Sequence, residues 1–263
     1  MVNVEDIVRL IVIEEDLKEC VKKSLCENPK YVDNLRFRHP NVLFDCLVRG
    51  CIGENAILKW FEEHEISFKS VKQKLYDDFN IDIDLIYEAN GRDIKIEVKT
   101  SLVPDKLFNK YSNNNHLLLE KILESCDIKL IRRTRKGRKE NLDELRGDIH
   151  LQIYFLMPRR RRDILLENLE INCNITSKYI VEVFDKLVEK IYNEALLRNY
   201  MSNIFLVGWI DKETLIKLVR NKYVENPTWS YGKREFWRCN IKEDAKPPRK
   251  LIFYLKNLKK KNM

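Results

Sequence analysis

Residues 81–101 read IDIDLIYEANGRDIKIEVKTS, two strand-like runs joined by Asn90-Gly91. Asn-Gly is the dipeptide that two-residue type I′ turns prefer, because both turn residues need positive φ. A turn of this length fixes the register of the hairpin and pairs Leu85 with Ile96. The sequence therefore predicts an antiparallel hairpin whose cross-strand neighbours can be named.

The same register brings charged side chains together. It places Asp84 opposite Glu97 and Asp82 opposite Lys99. Like charges about 5 Å apart across a strand pair destabilise the sheet unless something compensates, and a bound cation could do so. Because side chains alternate along a strand, the apolar residues share the other face. We expect a hairpin with an apolar back and an acidic front.

The composition is that of a basic globular protein. The chain has 263 residues, 44% of them hydrophobic and 34% charged, with a net charge of +8. A net charge of this sign attracts polyanions, of which nucleic acid is the obvious candidate, although a solvated basic surface is an equally good explanation. The positive residues concentrate in three runs, 129–139, 158–162 and 246–261.

The cysteines and the N-terminus favour a reducing, cytoplasmic setting. The chain has 7 Cys, an odd number without paired CxxC spacing, so neither a zinc site nor a disulfide framework is indicated. The first apolar run is short and flanked by acids, unlike a signal peptide or a membrane span. We expect no membrane partner.

Hydrophobic spacing predicts helices and strands along the whole chain. Helices are predicted over 4–27, 49–66, 115–125, 176–199 and 212–223, and strands over 147–158 and 203–211 in addition to the hairpin. This order predicts a mixed α/β sheet covered by helices. We found no linker or repeat, so residues 1–263 are expected to form a single domain. It would comprise an N-terminal helical region (1–49), a core (50–156) and a completing region with a basic aromatic C-terminus (157–263).

Glu54 lies at the edge of the apolar stripe of the helix predicted over 49–66. Its position near the predicted helix start has two explanations. The carboxylate could serve a site beside the hairpin, or it could be a first-turn acid favoured by the helix dipole.

These residues together resemble the PD-(D/E)XK, or restriction-endonuclease-like, nuclease superfamily. The resemblance is carried by Glu54 on a leading helix, Asp84 on a strand, and Glu97-Val98-Lys99 on the next strand. It implies a restriction-endonuclease-like mixed central sheet flanked by helices, with extra helical and C-terminal elements. It covers roughly residues 50–156.

The resemblance also implies a set of roles. Asp84 and Glu97 would ligate Mg²⁺, for which Mn²⁺ would substitute, and the main-chain carbonyl of Val98 would be a further ligand. Lys99 would orient or polarise the attacking water. Glu54 would support a second metal ion or its water shell. The chain departs from the family pattern before its aspartate, where it has isoleucine and not proline.

Two further polar residues remain ambiguous. Asp82 shares the predicted face of Asp84 and could replace it as ligand, or it could be an ion-pair partner of Lys99. Gln152 lies on the strand predicted over 147–158 and could contact the site or DNA, or its amide could be satisfied by its neighbours.

Two basic segments are candidates for DNA binding. The arginine-rich segment supplies Arg132, Arg133, Arg135 and Arg138, and the C-terminal region supplies Lys233, Arg234 and Arg238. In the second segment the cations alternate with Trp229, Tyr231, Phe236 and Trp237, a mixture that suits phosphate and stacking contacts. The alternative is a C-terminal β element with its aromatic residues in the core.

The resemblance implies a Mg²⁺-dependent DNA endonuclease that cleaves double-stranded DNA at a defined sequence, as a type II restriction enzyme does. A palindromic site would be matched by a homodimer. One alternative is a structure-selective repair or recombination nuclease of the Holliday-junction-resolvase kind, although such enzymes are usually smaller. Another is a non-catalytic DNA-binding protein, against which the intact Asp84, Glu97 and Lys99 set argues.

Overall fold

The computed structural model of the chain describes residues 1–27, 40–69, 83–135, 137–158, 185–189, 191, 203–232 and 234–260. The strands are β1 (Val8–Leu10), β2 (Leu85–Ala89), β3 (Arg92–Val103), β4 (Leu130–Arg132), β5 (Thr134–Arg135), β6 (Arg138–Lys139), β7 (Ile149–Pro158), β8 (Ile204–Asp211), β9 (Thr228–Tyr231) and β10 (Arg234–Trp237). The helices are α1 (Glu14–Glu27), α2 (Pro40–Glu62), α3 (Asp105–Tyr111), α4 (Asn115–Ser125), α5 (Lys212–Asn221), α6 (Ile241–Asp244) and α7 (Pro248–Lys260).

A mixed five-stranded sheet of order β1-β8-β7-β3-β2 organises the fold. Its two longest strands, β3 and β7, run parallel, and the other neighbouring pairs are antiparallel. Both faces of β7 are buried, which explains its nearly continuous apolar sequence. The predicted mixed α/β sheet flanked by helices is therefore confirmed at this level.

Each face of the sheet packs against its own hydrophobic core. One core joins α1, α2 and α7 to the face of β3 that carries Ile96 and Val98. The other joins α4, α5, β4 and β10 to the opposite face, where Tyr154 of β7 lies. Because side chains alternate along β3, the acidic Glu97 projects towards this second layer.

The Asn90-Gly91 hairpin is confirmed. Asn90 has a φ of 53° and Gly91 a φ of 73°, as a type I′ turn requires. The strands pair from Ala89–Arg92 to Leu85–Ile96, in the predicted register.

Several other elements lie where the hydrophobic pattern predicts them. The confirmed elements are α4 (Asn115–Ser125), β7 (Ile149–Pro158), β8 (Ile204–Asp211) and α5 (Lys212–Asn221). The helix predicted over 176–199 falls mostly outside the described residues, but 185–189 are helical.

The helix predicted over 4–27 is wrong in its first half. Helix α1 begins only at Glu14, and Val8–Leu10 instead forms β1, which pairs with β8 at the edge of the sheet. The free edge of β8 offers hydrogen-bond partners that a local pattern cannot reveal, and tertiary pairing overrides helix-like spacing. Residues 1–49 therefore contribute a strand to the central sheet as well as helices.

No helix in the described ranges is both long and apolar enough to cross a membrane.

Candidate active site

Glu97 is the buried centre of the candidate site. Its side chain lies on β3 with only 7% of the residue exposed. One carboxylate oxygen is ion-paired with the ammonium of Lys99, two residues along the same strand face. The other oxygen lies 2.7 Å from Nδ1 of His150 on β7. Both oxygens of a buried carboxylate are thus satisfied, as burial requires.

These partners keep Glu97 ionised. Burial alone would raise its pKa, but the charge of Lys99 and the hydrogen bond and charge of His150 outweigh it and lower the pKa to about 2. Because an ionised carboxylate only accepts hydrogen bonds, Nδ1 of His150 must carry the hydrogen between them. The site therefore contains a fixed negative charge with an ammonium on one side and an imidazole on the other.

The role of His150 is not apparent from the sequence. Its alternation with Gln152 predicts the correct face of β7, but contact with Glu97 depends on the parallel register between β3 and β7, which pairs these two residues. His150 is completely buried, and within the described part of the chain its Nε2 has no hydrogen-bond partner. Such an atom is unusual in a folded protein and marks a polar spot at the site.

Asp84 lies next to the Ile96–Val98 segment of β3, but it is not paired with Glu97 in the β2–β3 ladder. The β2–β3 ladder ends at Leu85–Ile96, and Asp84 donates its N–H to the same Ile96 carbonyl, 3.0 Å away. Its Oδ2 accepts a 2.7 Å hydrogen bond from the N–H of Val98. The predicted Asp84–Glu97 cross-strand pair is thus absent from the ladder, which ends one residue pair earlier.

The hydrogen bonds of Asp84 to Ile96 and Val98 place it at the edge of β3. In a strand the N–H and C=O of one residue point to the same edge, so the carbonyl of Val98 faces the side on which Asp84 lies. Asp84 and the Val98 carbonyl consequently lie at the same edge of β3, and Glu97 is the neighbouring residue of that strand. Neither here nor elsewhere among the described residues are three or more His, Cys, Asp or Glu side chains grouped so that they could hold a metal ion.

Asp82 and Glu54 are the two other acidic residues predicted to belong to the site. Asp82 lies outside the described residues. Glu54 lies well inside α2, which begins at Pro40, so the explanation as a first-turn acid is wrong. Helix α2 packs on the Thr100 face of β3, opposite to the face that carries Glu97. The role of Glu54 beside the Glu97 ion pair therefore stays a prediction.

Gln152 anchors the site and is completely buried. Its amide nitrogen donates to the Lys99 carbonyl at 3.1 Å, and also to Ser101 Oγ and the Ile153 carbonyl. Its oxygen accepts from the N–H of Lys129 at 3.0 Å. The interpretation that neighbours satisfy this amide is confirmed, and one of these neighbours is the backbone of Lys99.

The two basic segments come together in a second sheet. Strands β4, β10 and β9 form an antiparallel three-stranded sheet in the order β4-β10-β9. The C-terminal segment is therefore a β hairpin, and its Trp237 packs in the second core, as the core alternative proposed. Trp229 and Tyr231, by contrast, are partly or largely exposed.

Several of the predicted DNA-binding cations already have acidic partners. Arg132 donates to Glu235 at 3.1 Å and to the Glu140 carbonyl at 2.9 Å. Arg138 makes a two-point contact with Glu144. Arg133, Arg234 and Arg238 belong to the same region, whereas Lys233 and the side chain of Arg135 lie outside the described residues. The arginine-rich segment is thus in part a structural ion-pair network.

No protein-family model, curated protein or solved structure matches this chain. Its function must therefore be argued from the site itself.

Proposed function

We propose that this protein is a metal-dependent DNA endonuclease with a restriction-endonuclease-like fold of the PD-(D/E)XK type. The observation that carries the proposal is the ionised, buried Glu97 with the ammonium of Lys99 on its own strand face. Two apolar residues would stabilise the fold as well as a buried ion pair does. A buried ion pair with Asp84 nearby therefore calls for a functional explanation.

The donor atoms fit a small hard cation. Asp84, Glu97 and the Val98 carbonyl offer only oxygen, and Mg²⁺ prefers one or two carboxylates while it keeps several waters. The absence of a third acidic ligand among the described residues is compatible with this preference. When bound, the cation would neutralise charge on the phosphate and make water more acidic.

The chain's own residues position the reacting groups. Lys99 presents a positive charge where negative charge develops on a phosphodiester, and preorganised charge of this kind lowers the barrier most effectively in a dry site. Glu97 fixes the ammonium, and His150 fixes the second oxygen of Glu97. Gln152 holds the carbonyl of Lys99.

We propose that the substrate is double-stranded DNA, cut at a defined sequence by a homodimer. The net charge of +8 favours a polyanion, and the β4-β10-β9 sheet adds a basic aromatic element beyond the catalytic core. Digestion of a long natural DNA is expected to give discrete bands with 5′-phosphate ends. A smear, or cutting of branched substrates alone, would favour the structure-selective nuclease.

Cleavage is expected to require Mg²⁺ or Mn²⁺. The carboxylates around Val98 would bind the cation, so chelation with EDTA should stop the reaction and added Mg²⁺ should restore it. Supercoiled plasmid incubated with purified protein measures this directly. Undiminished nicking in excess EDTA would refute the metal-dependent mechanism.

Asp84→Asn is expected to reduce cleavage by roughly a thousandfold, equivalent to several kcal/mol of lost transition-state stabilisation. Asparagine keeps an oxygen for the N–H of Val98 but removes the ligand's charge. Asp82→Asn is the matched comparison on the same segment and should have a milder effect. An inactive Asp82 variant beside an active Asp84 variant would exchange the two roles.

A further inference from the structure

The three-stranded sheet has two chemically different faces. Register and alternation place Ile131, Trp229 and Phe236 on one side, which we call the outer face. Leu130 and Trp237 project from the other side into the second core. On the outer face Ile131 and Trp229 are partly exposed, and Phe236 between them is buried.

An aromatic pair with a cation lies on the outer face. The rings of Trp229 and Phe236 are stacked, with centroids 4.7 Å apart and planes 20° apart. The ammonium of Lys129 lies 4.2 Å from the centroid of the Trp229 ring. A cation held against an aromatic ring keeps its charge available at the surface.

Two of the N–H donors on this face have no acceptor among the described residues. Arg238 follows β10 and continues its pairing through a 2.9 Å hydrogen bond from its N–H to the Pro227 carbonyl, so its side chain lies on the Phe236 side. Its Nε and the Nε1 of Trp229 are both shielded from solvent without a partner in the described part of the chain. Buried donors are normally satisfied, so a small side-chain movement that admits an external acceptor would satisfy these two.

The outer face begins beside the candidate active site. Gln152 bridges the two, because its oxygen accepts from the N–H of Lys129 while its nitrogen donates to the Lys99 carbonyl. Lys129 is therefore one side chain away from the backbone of the proposed catalytic lysine. A strand of substrate crossing the site would lie within reach of this face.

We propose that the outer face binds the phosphodiester backbone of the nucleic acid, with Arg238 and Trp229 donating to phosphate oxygens and Lys129 supplying charge. The inference rests on the proposed function, since it names where the same substrate is held. A phosphate group has several acceptor oxygens, so it can accept hydrogen bonds from donors on β9 and at the end of β10 at the same time. Asp127 is a competitor on this surface, because Lys129 and Arg238 are among the cations whose charge acts on its carboxyl group.

The test uses a fluorescent duplex and the full chain in EDTA, where binding is independent of cleavage. Arg238→Gln is expected to weaken binding about tenfold and to reduce the slope of log affinity against log salt by about one. Trp229→Phe keeps the ring and removes only the N–H, and should weaken binding several-fold. Trp237→Phe is the matched control, since it removes an equally unpartnered N–H from the inner face.

Asp127→Asn provides a change of opposite sign. Removing the competing carboxylate should tighten duplex binding several-fold, because Asp127 then no longer competes with the phosphate for the two cations. Thermal melting of each variant shows whether the fold is kept.

Unchanged binding in both the Arg238 and Trp229 variants would overturn the inference, as would an equal loss in the Trp237 control. Displacement of the duplex by inorganic phosphate at the same total phosphate concentration would also overturn it, because it would show a site for free phosphate. These results are independent of catalysis. If the protein cleaves DNA and the Arg238 and Trp229 variants bind the duplex as the wild type does, this inference alone fails. If these variants lose duplex binding selectively but the wild type shows no metal-dependent cleavage, the proposed nuclease activity alone fails.

Discussion

Glu97→Gln is expected to reduce metal-dependent DNA cleavage by roughly a thousandfold or more. Glutamine has the same shape but no charge, so it removes a proposed cation ligand and leaves Lys99 without its buried partner. Plasmid cleavage with Mg²⁺ measures the effect. Glu97→Ala would break the same ion pair and would also leave a cavity in the buried site, so it is the poorer test.

A control on the same strand separates catalysis from general charge effects. Asp93 is also acidic but about half exposed, and pairs with Lys69 near the turn. Asp93→Asn should leave cleavage within about twofold, since exposed pairs contribute little. Full activity in the Glu97→Gln variant would refute the proposed catalytic centre.

The same variant should change stability in acid. The pKa of Glu97 falls from an ordinary 4.5 to about 2 in the folded chain. A lowered folded-state pKa contributes stability above the unfolded value, and this contribution is lost as the pH falls from about 4.5 towards 2. Urea unfolding across this range should show a steeper loss for the wild type than for Glu97→Gln.

The hairpin was predictable because its information is local. Asn90-Gly91 sets the turn, and the turn sets the pairs from Ala89–Arg92 to Leu85–Ile96. The prediction fails one residue further, where Asp84 shares the Ile96 carbonyl. Where a ladder ends depends on the packing of the chain that precedes the strand, and no local sequence pattern contains that information.

The partner of Glu97 was not predictable for the opposite reason. Fifty-three residues separate Glu97 from His150, and only the parallel alignment of β3 with β7 brings them together. Parallel strands need a long crossover, and its length does not specify register. Alternation along β7 could identify the face of His150 but not the residue that it meets.

The arginine-rich segment shows a third limit. Counting charges predicts a free basic surface, yet Arg132 pairs with Glu235, 103 residues away. Such partners become visible only when β4 and β10 are neighbours. The sequence indicates how many cations the segment has, and the fold decides which of them can meet a phosphate.

Gly53→Ala and Gly50→Ala are expected to change stability in opposite directions, although both glycines lie in α2. A Cβ at Gly53 would meet Cγ2 of Thr100 at 2.4 Å, whereas a Cβ at Gly50 would meet nothing within 4 Å. Alanine at Gly50 should therefore stabilise the protein by up to about 1 kcal/mol through helix propensity. Alanine at Gly53 should destabilise it by about 1–3 kcal/mol, because α2 must move away from β3.

Thr100→Ser tests the contact itself. Serine keeps the hydroxyl and removes the methyl group that the new Cβ would strike, so it should recover most of the loss in the Gly53→Ala background. Chemical denaturation of the two single variants and the double variant gives this coupling as a double-mutant cycle. Because Thr100 directly follows Lys99, a displaced α2 should also lower cleavage by the Gly53→Ala variant, and Thr100→Ser should restore it. Additive effects in the cycle would show that α2 does not pack on β3 at this contact, and would leave the position of Lys99 without the support that the helix provides.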